Sequence, residues 1–97
     1  MQDEFIVVVT FETNAGNHLK ARTQINDYIK DFLSLQPGFI ESRLHEAREG
    51  TGLLHYARWQ SESDFKAFAE KAKTHPALPA IREYTPNANF YDVWAQY

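Results

Sequence analysis

Gln36-Pro37-Gly38-Phe39-Ile40-Glu41-Ser42-Arg43-Leu44, continued through Glu49-Gly50-Thr51 into Leu54-His55-Tyr56-Ala57-Arg58-Trp59-Gln60-Ser61-Glu62-Ser63-Asp64-Phe65, is the stretch that decides the fold. Pro37 bars a preceding helix from continuing, and Gly38 permits a sharp exit. Residues 39–48 and 52–60 then read as two strands. Arg48-Glu49-Gly50-Thr51-Gly52 joins them as a hairpin turn with glycine available for positive φ. With Glu49 and Gly50 as the two loop residues, Leu44 faces His55, Ser42 faces Ala57 and Ile40 faces Trp59 on one side. Glu41 with Arg58 and Arg43 with Tyr56 take the other side. A slip of one residue would exchange these partners. Ser61 caps a following helix, with Asp64 where a capping box usually has Glu.

Outward from this hairpin the pattern is complementary on both sides. Residues 5–12 are β-branched and aromatic, which predicts a strand. Thr13-Asn14-Ala15-Gly16-Asn17 is a turn carrying a helix cap. Between 17 and 35, Ala21, Ile25, Tyr28, Ile29, Phe32 and Leu33 form one apolar helical stripe. After Ser61, Phe65, Phe68, Ala69 and Ala72 repeat at helical spacing. Thr74-His75-Pro76 breaks that helix, and Pro76 suits the first turn of a short one with Leu78 and Ile81 inward. Thr85-Pro86-Asn87 ends it, and residues 89–96 read as a last strand. The order βαββαβ predicts an α+β, ferredoxin-like domain over 1–97, a four-stranded antiparallel sheet with its helices on one face. The first strand is apolar on both faces: Phe5, Val7, Val9 and Phe11 on one, Ile6 and Val8 on the other. Two helices cover one face only, so a second copy's sheet is the expected cover for the other, giving a homodimer through sheet-to-sheet packing.

Composition narrows the chemistry. The 97 residues carry a net charge of −3 and no cysteine. Nucleic-acid or anionic-membrane binding requires clustered Lys and Arg and is not expected. Disulfides, thiolate metal sites and cysteine nucleophiles are excluded. Met1-Gln2-Asp3-Glu4 is not a basic signal-peptide start, and no stretch reaches membrane-span length, so the expectation is a cytoplasmic protein. There is no phosphate loop, no nucleophile elbow and no i, i+4 histidine pair. His18 and His45 read as surface positions, and Lys66, Lys71 and Lys73 as a solvated helix face.

The Pro37-Gly38 stop, the strand, the Gly50-Thr51 turn, Trp59-Gln60-Ser61 and Phe65 six residues after the Trp resemble the antibiotic-biosynthesis monooxygenase family of dimeric α+β barrels. The resemblance spans about residues 5–97 in element order. It implies oxidation of an electron-rich phenolic substrate by molecular oxygen as co-substrate, with no metal, flavin or other cofactor. It also implies a cavity between sheet and helices, lined by the face that carries the Trp: Trp59, Ala57, His55, Ser42 and Ile40. Trp59 matches the family Trp and would orient the substrate; His55, where quinone-forming members often have Asn, is the candidate base. Phe65 stands where some members place Tyr and offers packing without a proton. His75 and Arg82 complete the expected substrate-binding set, with Tyr84 beside them. The haem-degrading branch has an axial His ten residues after the Trp; here that residue is Ala69, and His75 is too distant to replace it. The same fold also accommodates a non-enzymatic small-molecule binder or sensor, or an isomerase or cyclase that uses His55 as a plain acid–base group.

Overall fold

A computed structural model describes residues 4–97 of the chain. The first three residues of the expected 1–97 unit lie outside the described residues. Strands β1 (Phe5–Phe11), β2 (Phe39–Glu46), β3 (Leu53–Trp59) and β4 (Asn87–Asp92) form one antiparallel sheet in the order β2-β3-β1-β4. Helices α1 (His18–Asp31), α2 (Glu62–Ala72) and α3 (Leu78–Arg82) connect them. This is the ferredoxin-like α+β arrangement that the sequence predicts.

The β2–β3 register agrees with the expected pairs Leu44–His55, Ser42–Ala57, Arg43–Tyr56 and Glu41–Arg58. Two details differ. The loop is four residues long, closed where the Ala47 amide donates to the Gly52 carbonyl at 3.0 Å, so the register survives with more turn than a two-residue hairpin. A bulge between Phe39 and Glu41 puts Phe39, not Ile40, opposite Trp59. The extra residue at a bulge leaves the ladder, and Ile40 becomes exposed.

The first helix also ends earlier than its apolar stripe. α1 stops at Asp31, Phe32 breaks it at φ −134°, and Leu33–Leu35 form a single 3₁₀ turn. Pro79 lies in the first turn of α3, and Pro76 precedes that helix in a turn. The last strand runs over Asn87–Asp92, so residues 93–97 fall outside the sheet. At α2, Ser61 accepts from the Asp64 amide at 3.1 Å, and Asp64 returns the contact by accepting from the Ser61 hydroxyl at 2.9 Å. His18 is a correction: it is buried, not a surface residue. The Thr13 hydroxyl lies 2.7 Å from Nδ1 of His18, and its Nε2 lies 2.5 Å from Glu46. Hydrogen bonds from His18 and then Arg22 hold the Glu46 carboxyl below its usual range, tying the start of α1 to the edge strand β2.

The helix-covered side of the sheet holds two buried clusters. One is built on Val7, Leu33, Ala57, Trp59, Phe68 and Ala72. The other is built on Phe11, Ala21, Ile25, Leu53, Ile81 and Tyr84. Val9 and Tyr28 pack against both. On the opposite face, Ile6 pairs with Arg58, Val8 with Tyr56 and Thr10 with Leu54. Arg58 donates there to Glu4 at 2.6 and 2.8 Å and to Glu41 at 2.5 Å. No helix of the described residues is long and apolar enough to cross a membrane.

Candidate active site

The Pro-Gly stop and the Trp-x-Ser segment meet in space. Gly38 has φ +87°, and a Cβ there would lie 2.4 Å from both Cβ and Cγ of Asp64. Its carbonyl accepts from the Gln60 amide at 2.8 Å. Glycine at 38 therefore lets the start of β2 press against the first turn of α2, next to the end of β3. This junction brings Trp59 and Phe65 together, with ring centroids 5.7 Å apart.

Trp59 is fully buried in an aromatic cluster. Phe39 meets it edge-on at 5.6 Å and Phe68 lies at 5.2 Å. Beside it, between the two core clusters, is a cavity of about 160 Å³. Val7, Val9 and Phe11 of β1 and His55, Ala57 and Trp59 of β3 form its floor. Ile25, Tyr28 and Ile29 of α1, Phe65 and Phe68 of α2, and Leu78 and Ile81 of α3 close it from above, with Leu33 and Pro86 at its margins. Most of these positions alternate along strands or recur at helical spacing, so they read as ordinary core; only tertiary packing distinguishes those that border a void.

His55 is the exceptional lining residue. It is 4% exposed, and its Nε2 is sealed from solvent with no hydrogen-bond partner among the described residues. Burial, with a smaller contribution from the charge of His45, pushes its pKa down to about 4. At neutral pH the ring is uncharged. A buried, unsatisfied polar atom is costly and rare in folded proteins, and a polar atom of a ligand would satisfy it. Tyr28, on the opposite wall, is a second polar side chain; burial pushes its phenol up to about 12, so it too is neutral.

Four expected substrate-binding residues do not line the cavity. Ile40 is carried out of register by the bulge. Ser42 shares the face of Ala57 but lies on the edge strand β2, outside the space that the helices enclose. Arg82 is exposed on α3. His75 instead lines a neighbouring groove of about 300 Å³ with Gln24, Tyr28, Phe32 and Ala80. Tyr84 is buried in the second core cluster, where its hydroxyl bonds Gln24. His55, Ala57, Trp59 and Phe65 are the expected site residues that the fold brings together. Among the described residues, no three His, Asp or Glu side chains group as a metal site.

A largely apolar sheet floor, a Trp-centred aromatic wall and one unsatisfied imidazole nitrogen define an α+β protein with a small pocket between sheet and helices. The chain belongs to the antibiotic biosynthesis monooxygenase family, whose model matches residues 4–77. It is similar to tetracenomycin-F1 monooxygenase of Streptomyces glaucescens, 28% identical over 92 residues that cover 94% of this chain and 82% of the relative. A monooxygenase from the ActVA-Orf6 gene of Streptomyces coelicolor, solved in complex with nanaomycin D, superposes with a TM-score of 0.76 at 22% identity over 98% of this chain and 91% of that one. SnoaB of Streptomyces nogalater, a cofactor-independent oxygenase, superposes at 0.74 with 16% identity over 100% of this chain and 96% of its own.

Proposed function

We propose that the chain oxidises a small aromatic, quinol or polyketide-like compound with molecular oxygen, without metal or organic cofactor, inside the cavity bordered by His55 and Trp59. The observation that carries this reading is the buried, unpartnered His55 Nε2 in a largely apolar cavity. A phenolic or benzylic proton passes to that nitrogen, leaving a delocalised substrate anion that gives electrons to oxygen. In the overall balance a ring CH₂ becomes C=O, one O₂ is consumed, and its second oxygen atom leaves as water. An imidazole at about 4 is a weak base, but an anion formed beside it in a largely apolar cavity raises its proton affinity, so the two charges stabilise each other. Trp59 borders the cavity as an apolar aromatic wall for the substrate, and Phe65 meets it edge-on at 5.7 Å. The relatives that oxidise tetracenomycin F1 or were solved with nanaomycin D agree with such a substrate class.

The working unit in this reading is a homodimer joined through the open sheet face. Ile6, already buried, lies on that face with the partly exposed Val8, Leu54 and Tyr56, which a second copy covers. Exposed Trp94 and Tyr97, beyond β4, extend the apolar surface available to it.

An oxygen electrode tests the activity. Metal-free protein incubated with a panel of anthrones and hydroquinones should consume oxygen above the uncatalysed background, and His55→Ala should reduce that excess at least 100-fold. Trp59→Phe should raise KM. Stoichiometric binding of the same compounds with no oxygen uptake identifies a binder or sensor, and turnover that persists anaerobically identifies an isomerase or cyclase.

A further inference from the structure

Two spaces flank Tyr28. The cavity beside His55 measures about 160 Å³, and the groove beside His75 about 300 Å³. Tyr28 is the one residue that lines both. The inner space alone is small: a cavity of roughly 150 Å³ holds one benzene ring, whereas pockets for larger ligands start at about 300 Å³. A fused-ring substrate therefore does not fit the inner space as it stands, but it fits the two spaces joined.

The side chain between them is held by ring contacts. The Tyr28 ring rests on aromatic contacts, 5.5 Å from Phe32 and edge-on at 5.1 Å from His75. Its phenol stays neutral, so moving it carries no charge. The outer groove continues the aromatic lining, because the Phe32 and His75 rings lie 4.4 Å apart, tilted by 41°. His75 Nδ1 accepts from the Ala77 amide at 3.0 Å, which leaves Nε2–H as the donor of the neutral ring.

We propose that Tyr28 is a ring-count gate, dividing one binding site into an inner compartment for the reacting ring and an outer compartment, walled by Phe32 and His75, for the further rings of a fused oxygenated aromatic. The proposal rests on the reading of the cavity as an aromatic-binding site, but not on the oxidation chemistry. Rotation of Tyr28 joins the compartments, and a carbonyl or hydroxyl on the outer ring accepts from His75 Nε2.

Binding measurements separate the gate from the chemistry. Trp94→Phe removes the exposed tryptophan and leaves Trp59, which borders the inner compartment, as the single fluorescent reporter. In that background, Kd is measured for phenol, 1-naphthol and 1-hydroxyanthraquinone, none of which needs to turn over. Tyr28→Ala should tighten the three-ring ligand at least fivefold without tightening phenol. Ala80→Phe, which fills the groove from outside with Tyr28 intact, should weaken the three-ring ligand at least fivefold and leave phenol within twofold. Three-ring affinity unchanged in Ala80→Phe overturns the proposal, even where Tyr28→Ala does not fold. Failure of all three ligands to bind removes the shared premise and the gate with it. Binding that follows the expected pattern, with no oxygen uptake from any ring series, leaves the gate standing and sinks only the oxygenase reading.

Discussion

At the residue scale, His55 couples the site to the stability of the fold. Folded, its pKa is about 4; unfolded, it returns to 6.5. Between these values the unfolded chain holds the proton and the folded chain does not, so acid favours unfolding. Stability conferred by the neutral ring is intact above about 6.5 and declines as the pH falls toward 4, by on the order of 3 kcal/mol. Unfolding free energies from urea titration at pH 7 and pH 4.5 should therefore differ more for the wild type than for His55→Leu, by about 2 kcal/mol. With His55 as the proposed base, the acid limb of kcat/KM should lie near pH 4 rather than near 6.5, which a pH–rate profile reads directly. Gly38 is the other decisive residue. Gly38→Ala forces a side chain into a left-handed conformation and against Asp64, and should lower stability by about 2 kcal/mol or more. Asp64→Ala should not rescue it, because the clash involves the Asp64 Cβ itself.

At the element scale, the end of β3 and the start of α2 act as one structural joint. Ser61 caps α2 while Trp59, two residues earlier, anchors the cavity wall. Ser61→Ala leaves the Asp64 amide without its acceptor and should cost about 1 kcal/mol by denaturant titration. Because α2 carries Phe65 and Phe68 into the cavity, the same change should weaken aromatic ligand binding more than a cap lost elsewhere. The bulge in β2 has a comparable role. It turns Phe39 toward Trp59 and moves Ile40 outward, so the edge strand supports the indole with a ring.

At the scale of the whole molecule, one sheet face is closed by helices and the other is open. Around its apolar residues the open face carries a charged cluster in which Glu4 and Glu41 hold the Arg58 guanidinium well above its ordinary pKa. An interface there has a paired ionic centre, and paired charge tolerates burial better than a lone cation. The 11.3 kDa chain should sediment at twice that mass. Leu54→Asp, placed on that face, should shift it to the monomer mass without disturbing the helix-covered core. A monomer mass for the unaltered chain would refute the interface.

Hydrophobic period and turn chemistry are local properties, and they determined the element order, the sheet layout, the β2–β3 register and the closeness of His55, Ala57 and Trp59. Alternation along one strand places those three on one face wherever the sheet closes. Phe65 also was legible, six residues beyond the Trp across a capped turn. Tertiary structure alone decided the rest. The bulge that displaces Ile40 depends on how β2 meets α2, and the break of α1 at Phe32 depends on packing against the sheet. His18 carries no local mark of burial, since its partners Thr13 and Glu46 come from a loop and a distant strand. His75 and Tyr28 illustrate the limit most clearly. One reads as a helix breaker and the other as a core aromatic, and their meeting at the wall between cavity and groove is a product of three-dimensional packing, which no periodicity along the chain encodes.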